Sequence, residues 1–340
     1  AEIGQAHDGS LGIAHSYIDA LANTGVSTIK FQMHIAEAES SIYEPFRVNF
    51  SYEDKTRYDY WKRMQFSIEQ WSELKRHCED KGLEFLVSPF SLAAVEILEK
   101  LDIKRYKIGS GEVNNHLLIQ KIASTNKKVI LSSGMSSYYE LDSSIELLKK
   151  NKIDYSILQC TTSYPTNPEQ WGLNVIPQLK KRYNVPVGFS DHSGDIYASL
   201  FAASKGAEIF EFHVVFDKKM FGPDSTSSLT LKKVKKLKKG LDQFLISENS
   251  KIDKNNLNEF KSLKDIFEKS LCINKDLKKG HVITIDDLET KKPKGKGEGV
   301  GPSRRIRRIR RILTIQEIER YSNSYCLIYQ DQNFNKIIFA

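Results

Sequence analysis

Short runs of β-branched and aromatic residues alternate along this chain with stretches whose apolar positions recur every three or four residues. Runs at 1–4, 27–32, 84–88, 105–109, 128–133, 155–160, 185–190 and 207–214 predict eight strands, and a segment with helical periodicity follows each of them. Leu11, Ala14, Ile18 and Leu21 share one helical face. Leu231, Val234, Leu237, Leu241 and Phe244 do the same in the last repeat, where the intervening lysines are expected to form a solvated face. Ser67-Ile68-Glu69-Gln70 and Ser137-Tyr138-Tyr139-Glu140 fit the capping box, in which a side chain and a backbone amide satisfy each other at a helix start. Eight βα repeats predict an α/β fold of the TIM (β/α)8 barrel type over a doubly wound sheet.

Two departures from this beat divide the chain. A polar insertion at 33–66, rich in Tyr, Arg, Glu and His, separates the second and third strands and is expected to shape access to the catalytic end of the barrel. A polar stretch at 247–268 reads as a linker between a barrel at 1–246 and a small module at 269–340, which opens with short strands at 270–273 and 277–284 around a glycine turn. Because Ala1-Glu2-Ile3-Gly4 reads as a strand met part-way, a few leading residues are expected before it.

Composition narrows the classes. The 340 residues are 40% hydrophobic and 28% charged, and no apolar run approaches the roughly 20 residues that span a bilayer, so no membrane-embedded function is expected. The net charge of +8 draws much of its excess from the lysine-rich helix near 231–239 and from the Lys/Arg run at 291–311. With no base-reading or stacking elements beside that charge, no nucleic-acid partner is expected. Cys78, Cys160, Cys272 and Cys326 are widely spaced and no secretory signal opens the chain, which predicts reduced thiols and a cytoplasmic location, with Cys160 a small buried residue at a strand end.

The candidate chemistry collects at the C-terminal strand ends. His192 and His213 follow the seventh and eighth strands, and neighbouring strands of a parallel barrel would bring both imidazoles to one divalent metal, with Asp191 as a further ligand or supporting partner. Lys30 is read as ending strand two and Lys107 as lying within strand four. Ser110, Ser132 and Ser190 are read as ending strands four, five and seven. A lysine flanked by Ile29 and Phe31, or by Tyr106 and Ile108, is too costly to bury uncompensated, so a bound phosphate or carboxylate is expected there. Glu2 and Glu211 sit in otherwise apolar strands and are either general acid/base candidates or partners of neighbouring lysines. The Gly109-Ser110-Gly111 segment is no dinucleotide fingerprint, because Asn114 stands where the last glycine would be.

These motifs, in this order, resemble the sialic acid synthase family of phosphoenolpyruvate-dependent nonulosonate synthases. The likeness runs through Ala1-Glu2-Ile3-Gly4, Ile29-Lys30-Phe31-Gln32, Tyr106 to Asn115, Leu131-Ser132-Ser133-Gly134-Met135, Gln159-Cys160-Thr161-Thr162-Ser163-Tyr164-Pro165, Gly188 to Ser193, Glu211-Phe212-His213 and Gly222-Pro223-Asp224. It implies condensation of phosphoenolpyruvate with an N-acylated amino-hexose such as N-acetylmannosamine, on a cytoplasmic homodimer using Mn2+ or Mg2+. It further implies metal ligands at His192 and His213, and phosphoenolpyruvate contacts from Lys30, Lys107, Ser110, Ser132 and Ser190. Glu2 would place or deprotonate the attacking water, with Tyr164, Glu211 and Asp224 facing the sugar.

The resemblance fades toward the C-terminus. The small module resembles an antifreeze-like (SAF-type) domain that lends an arginine to a partner's site, but Lys291-Lys292-Pro293-Lys294 has lysine at the arginine position, and the period-three run from Arg304 to Ile312 does not align. Thr162 stands where some members have asparagine. Two other readings stay open: a related synthase acting on a phosphorylated aldose, and a catalytically impaired binding or scaffold protein.

Overall fold

The structure is a computed structural model that describes residues 1–275, 281 and 284–292. Eight strands form one sheet in chain order: β1 (Glu2–Gly4), β2 (Thr28–Met33), β3 (Glu84–Pro89), β4 (Arg105–Ile108), β5 (Lys128–Ser132), β6 (Tyr155–Cys160), β7 (Val187–Asp191) and β8 (Phe210–Phe212). Every adjacent pair is parallel, and a parallel bridge between Glu2 and His213 brings β1 beside the end of β8, which rounds the sheet into a TIM-type barrel.

The helices are α1 (Leu11–Ala22), α2 (Ala36–Glu39), α3 (Arg57–Met64), α4 (Ile68–Asp80), α5 (Leu92–Lys100), α6 (His116–Ala123), α7 (Tyr138–Lys150), α8 (Val175–Tyr183), α9 (Tyr197–Ser204) and α10 (Leu231–Asn249). Both capping boxes form: Ser67 accepts from the Gln70 amide and Ser137 from that of Glu140, with reciprocal contacts from the two side chains. Ala14, Ile18 and Leu21 of α1, and Val234 and Leu237 of α10, are buried, whereas Lys232, Lys235, Lys236 and Lys239 face solvent as the periodicity predicts.

Alternation along each strand assigns the two faces. In β2, Ile29, Phe31 and Met33 pack outward into the layer beneath the helices, so Lys30 and Gln32 point into the barrel. A small apolar plug of Leu86, Ile130 and Leu158 fills the interior below them. Gly188 of β7 lets β8 approach closely, since a Cβ there would lie 2.2 Å from the Ile209 carbonyl oxygen.

The observed strands shift some expected positions. Lys30 is the third residue of β2 rather than its last, and Ser110 lies beyond β4 in a 3-10 turn, Ser110–Glu112. The eighth strand is shorter than 207–214. After His213 the chain forms β9 (Val214–Val215), which pairs with β10 (Leu229–Thr230) outside the barrel.

The insertion is not a bare loop. It contains α2 and α3, with a buried cluster of Ala36, Tyr60, Trp61 and Met64. Arg63 fastens it by bonding Asp54 at 2.8 Å within the insertion and Asp8 at 2.6 Å in the loop after β1.

The chain divides into two units, Ala1–Ser250 and Lys251 onward. The second contains α11 (Lys261–Phe267) and an antiparallel pair, β11 (Ser270–Ile273) with β12 (Leu288–Lys291). The expected strand at 277–284 falls largely outside the described residues, as do Lys294 and the whole arginine-rich run.

Candidate active site

A cavity of about 360 Å3 opens at the C-terminal ends of the barrel strands and is roofed by the 33–66 insertion. Glu2, Lys30, Lys107, Ser110, Ser132, Tyr164, Ser190, His192, Glu211, His213 and Asp224 all line it, so of the residues singled out for chemistry all but Asp191 lie in one place.

The floor is a compact charge network. Glu211 of β8 accepts from the Lys107 ammonium at 3.0 Å and from the Ser190 hydroxyl at 2.9 Å, and it lies 3.7 Å from the Lys30 ammonium. Lys30 also contacts the Glu2 carboxylate and donates to the Ser88 hydroxyl at 3.4 Å. The compensation expected from a bound anion is supplied in this structure by the Glu2 and Glu211 carboxylates. Glu2 of β1 meets Lys30 of the neighbouring β2, whereas Glu211 of β8 reaches Lys107 of the non-adjacent β4 across the barrel interior. Burial pulls the Lys30 ammonium down to about 7, with Glu211 opposing the shift and Lys107 adding to it. Glu211 shows the opposite balance: burial disfavours its charge, yet Lys107 and Lys30 hold its carboxyl well below the usual range.

The two imidazoles stand on one side of this network, their ring centroids 5.3 Å apart. His192 shares a hydrogen bond between Nδ1 and the Thr161 carbonyl at 2.9 Å, which leaves its Nε2 free for a ligand. Burial holds His213 down to about 3, so it is the neutral base that a metal ligand must be. His192 keeps a raised pKa in spite of burial, because Cys160 and the Thr161 carbonyl favour its charged form. Asp224 carries a carboxylate oxygen 3.9 Å from His213, whereas Asp191 is bound to the Ser193 amide and the Ser199 hydroxyl and does not line the cavity. Among the described residues, no group of three or more His, Cys, Asp or Glu side chains is gathered at ligating geometry. The donor set at this position is thus two imidazoles, with the nearby Asp224 carboxylate held by Arg47.

Tyr164 lies against both rings, 4.2 Å from His192 and 6.0 Å from His213 between centroids. Its outer face is covered by Arg47 of the insertion, whose guanidinium carbon sits 4.1 Å from the ring centroid and whose other contact is the Asp224 carboxylate. Sequence reasoning passed over Arg47. Its only signal was membership of a long insertion next to the barrel mouth.

Cys160 was read as packing and is buried, but it also borders the cavity, 3.5 Å from the Ser110 hydroxyl. The Thr162 hydroxyl is buried in the same wall and has no hydrogen-bond partner among the described residues. Gln5, Gln32, His34 and Glu39 form a hydrogen-bonded group that also lines the cavity, and of these only Gln32 lies in one of the sequence motifs.

Comparison with known proteins places this geometry. Residues 17–268 match the NeuB family. The chain is 33% identical over 299 residues to the N,N'-diacetyllegionaminic acid synthase of Campylobacter jejuni, covering 86% of this chain and 89% of that one. The pseudaminic acid synthase of the same species is 32% identical over 299 residues, covering 86% of each chain. A crystal structure of N-acetylneuraminic acid synthetase from Leptospira borgpetersenii, in complex with citrate, superposes with a TM-score of 0.69 at 29% identity, over 77% of this chain and 89% of that one. A phospho-2-dehydro-3-deoxyheptonate aldolase from Thermotoga maritima, at 15% identity and a TM-score of 0.58 over 74% of this chain and 71% of its own, shares the fold alone.

Proposed function

The chain belongs to the NeuB family, and from that premise we propose that it is an enzyme condensing phosphoenolpyruvate with an uncharged N-acylated amino-hexose and water to give a nonulosonic acid and phosphate. The observation that carries this reading is the convergence of Lys30, Lys107, Glu2 and Glu211 from four strands onto a cavity that also holds the His192 and His213 imidazoles. Two buried ammonium groups can exchange carboxylate partners for a phosphate and a carboxylate. The relative crystallised with citrate accepts a small polycarboxylate.

The residues divide the work by position. Lys30 and Lys107 neutralise phosphoenolpyruvate, and the Ser110, Ser132 and Ser190 hydroxyls donate to its oxygens. Tyr164 and Asp224 take the sugar. Glu211, held ionised by both lysines, keeps them oriented as charge redistributes. Glu2 orients the water that adds at C2 after C3 has attacked the sugar aldehyde, and it accepts a proton from that water. Collapse of the resulting tetrahedral centre expels phosphate. The paired His192 and His213 imidazoles would hold a divalent ion such as Mn2+ or Mg2+, and such an ion would supply a Lewis acid for the aldehyde oxygen.

The unphosphorylated sugar is favoured over a phosphorylated aldose by the charges along the wall. Six acids, Glu2, Glu39, Glu44, Glu112, Glu211 and Asp224, face four cations, and the two at the mouth are already paired, Arg47 with Asp224 and Arg57 with Glu44. A second phosphate arriving there would meet net negative charge.

With phosphoenolpyruvate and Mn2+, phosphate release should depend on N-acetylmannosamine or a diacetamido-trideoxyhexose and stop on addition of EDTA. Faster release with arabinose 5-phosphate or erythrose 4-phosphate would overturn the choice of sugar.

A further inference from the structure

His34 lies in the first residues after β2 and is held more firmly than its place in a loop requires. Its imidazole is sandwiched between Trp61, with ring centroids 3.8 Å apart, and Phe90, at 4.4 Å, and both stacks are within 15° of parallel. The ring's Nδ1 is 2.6 Å from a Glu39 carboxylate oxygen, and the other oxygen of that carboxylate accepts from the Ile35 amide at 3.2 Å. The His34 and Glu39 side chains are 5% and 6% exposed, so water does not compete for these bonds. On its other edge, Nε2 is 3.0 Å from the Gln5 side-chain nitrogen and 3.2 Å from the Gln32 side-chain oxygen.

Hydrogen-bond bookkeeping gives this group a direction. A carboxylate can only accept, so Nδ1 of the imidazole carries a proton toward Glu39, and the Gln5 amide nitrogen, which can only donate, makes Nε2 an acceptor; the Gln32 oxygen 3.2 Å from Nε2 is then a second acceptor beside it, held by Gln5 and not by the ring. Nε2 is then satisfied by one Gln5 N–H, while the second Gln5 N–H goes to the Gln32 carbonyl oxygen. With its oxygen so engaged, the Gln32 amide has its nitrogen turned the other way, where it donates to the Glu2 carboxylate at 2.9 Å. A flipped Gln5 amide would set its oxygen against both His34 Nε2 and the Gln32 oxygen, and a flipped Gln32 amide would set its nitrogen against that of Gln5.

We propose that His34, oriented by Glu39 and clamped by Trp61 and Phe90, is a positioning residue that fixes the amide orientation of Gln5 and Gln32 and so aims the Glu2 carboxylate into the cavity. The inference rests on the assignment of Glu2 to the attacking water. No part of His34 need touch substrate: its effect travels through two amides, and removing it frees Gln32 to turn its oxygen toward Glu2 and push the carboxylate out of line.

The test compares two substitutions with opposite expectations. His34→Gln can donate to Glu39 through its amide nitrogen and accept from Gln5 through its oxygen, and should keep kcat within about threefold of the parent. His34→Phe preserves the aromatic stack but deletes both bonds, and should lower kcat about 10- to 100-fold with the KM for phosphoenolpyruvate changed less than about threefold, the scale of loss found when a supporting partner is removed. In a double-mutant cycle, Gln32→Ala and His34→Phe should be strongly non-additive. Equal losses in both His34 variants, additive effects with Gln32→Ala, or a His34→Phe enzyme with parental kcat would overturn the proposal.

A readout independent of turnover separates this from the functional reading. In 15N-histidine spectra of the full chain, with the His34 signals assigned by their loss in His34→Gln, His34 should be the neutral Nδ1–H tautomer. An Nε2–H tautomer would overturn the positioning role even if the condensation is correct. The expected tautomer in a chain that fails to release phosphate would instead overturn the condensation.

Discussion

At the residue scale, the two lysines and two glutamates on the cavity floor show how far types and spacing carry. Lys30 and Lys107 in apolar strands demanded compensation, and the sequence left two possibilities for Glu2 and Glu211 without choosing between them. Their mutual pairing could not be read from the chain, because Lys107 and Glu211 are 104 positions apart and meet only when the barrel rounds on itself. That pairing gives a pH signature. A Lys30 ammonium held at about 7 by burial is charged below that pH and sheds its proton above it. The kcat/KM for phosphoenolpyruvate should therefore fall as pH rises through 7, about tenfold per unit once the neutral form dominates. A profile flat from pH 6.5 to 9 would contradict the cation's role. Arg47 and His34 stayed silent in the sequence for the same reason as the pairing: an arginine or histidine in a polar insertion looks like any surface residue until its stacking partners Tyr164 and Trp61 are in place.

At the scale of elements, strands and helix starts were the most legible features, since they rest on local rules. The apolar runs of β3 to β7 coincide with observed strands to within about two residues at either end, and the Ser67 and Ser137 caps form as read. Replacing Ser137 by Ala should lower stability by about 1 kcal/mol with kcat unchanged, as measured by urea denaturation. A loss above about 3 kcal/mol would mean that the cap does more than satisfy the Glu140 amide. The insertion was legible as an excursion but not as structure, although Thr56 and Asp59 form a further capping box at the start of α3, with Asp in place of the usual Glu or Gln. Its short helices gain their stability from the Tyr60, Trp61 and Met64 cluster and from the Arg63 ties, which are tertiary facts.

For the whole molecule, the repeat of strand and helix was enough to give the barrel, because a parallel eightfold βα alternation has few other ways to bury its strands. Where the cavity lies follows from the same rule, and what it does follows from the residues gathered there. The small C-terminal module and the arginine-rich run were the least legible parts of the sequence, and apart from β11 and β12 they lie largely outside the described residues. The cavity-lining residues, among those described, all belong to Ala1–Ser250.

The proposed reaction joins phosphoenolpyruvate to an amino-sugar aldehyde in this cavity. It is tested most directly by mass analysis of the product formed from phosphoenolpyruvate and N-acetylmannosamine or a diacetamido-trideoxyhexose in the presence of Mn2+, with phosphate measured in the same tube. The account predicts a nine-carbon keto acid carrying the sugar's acyl groups, formed one for one with phosphate. Phosphate released without such a product, or no phosphate from either sugar, would contradict it.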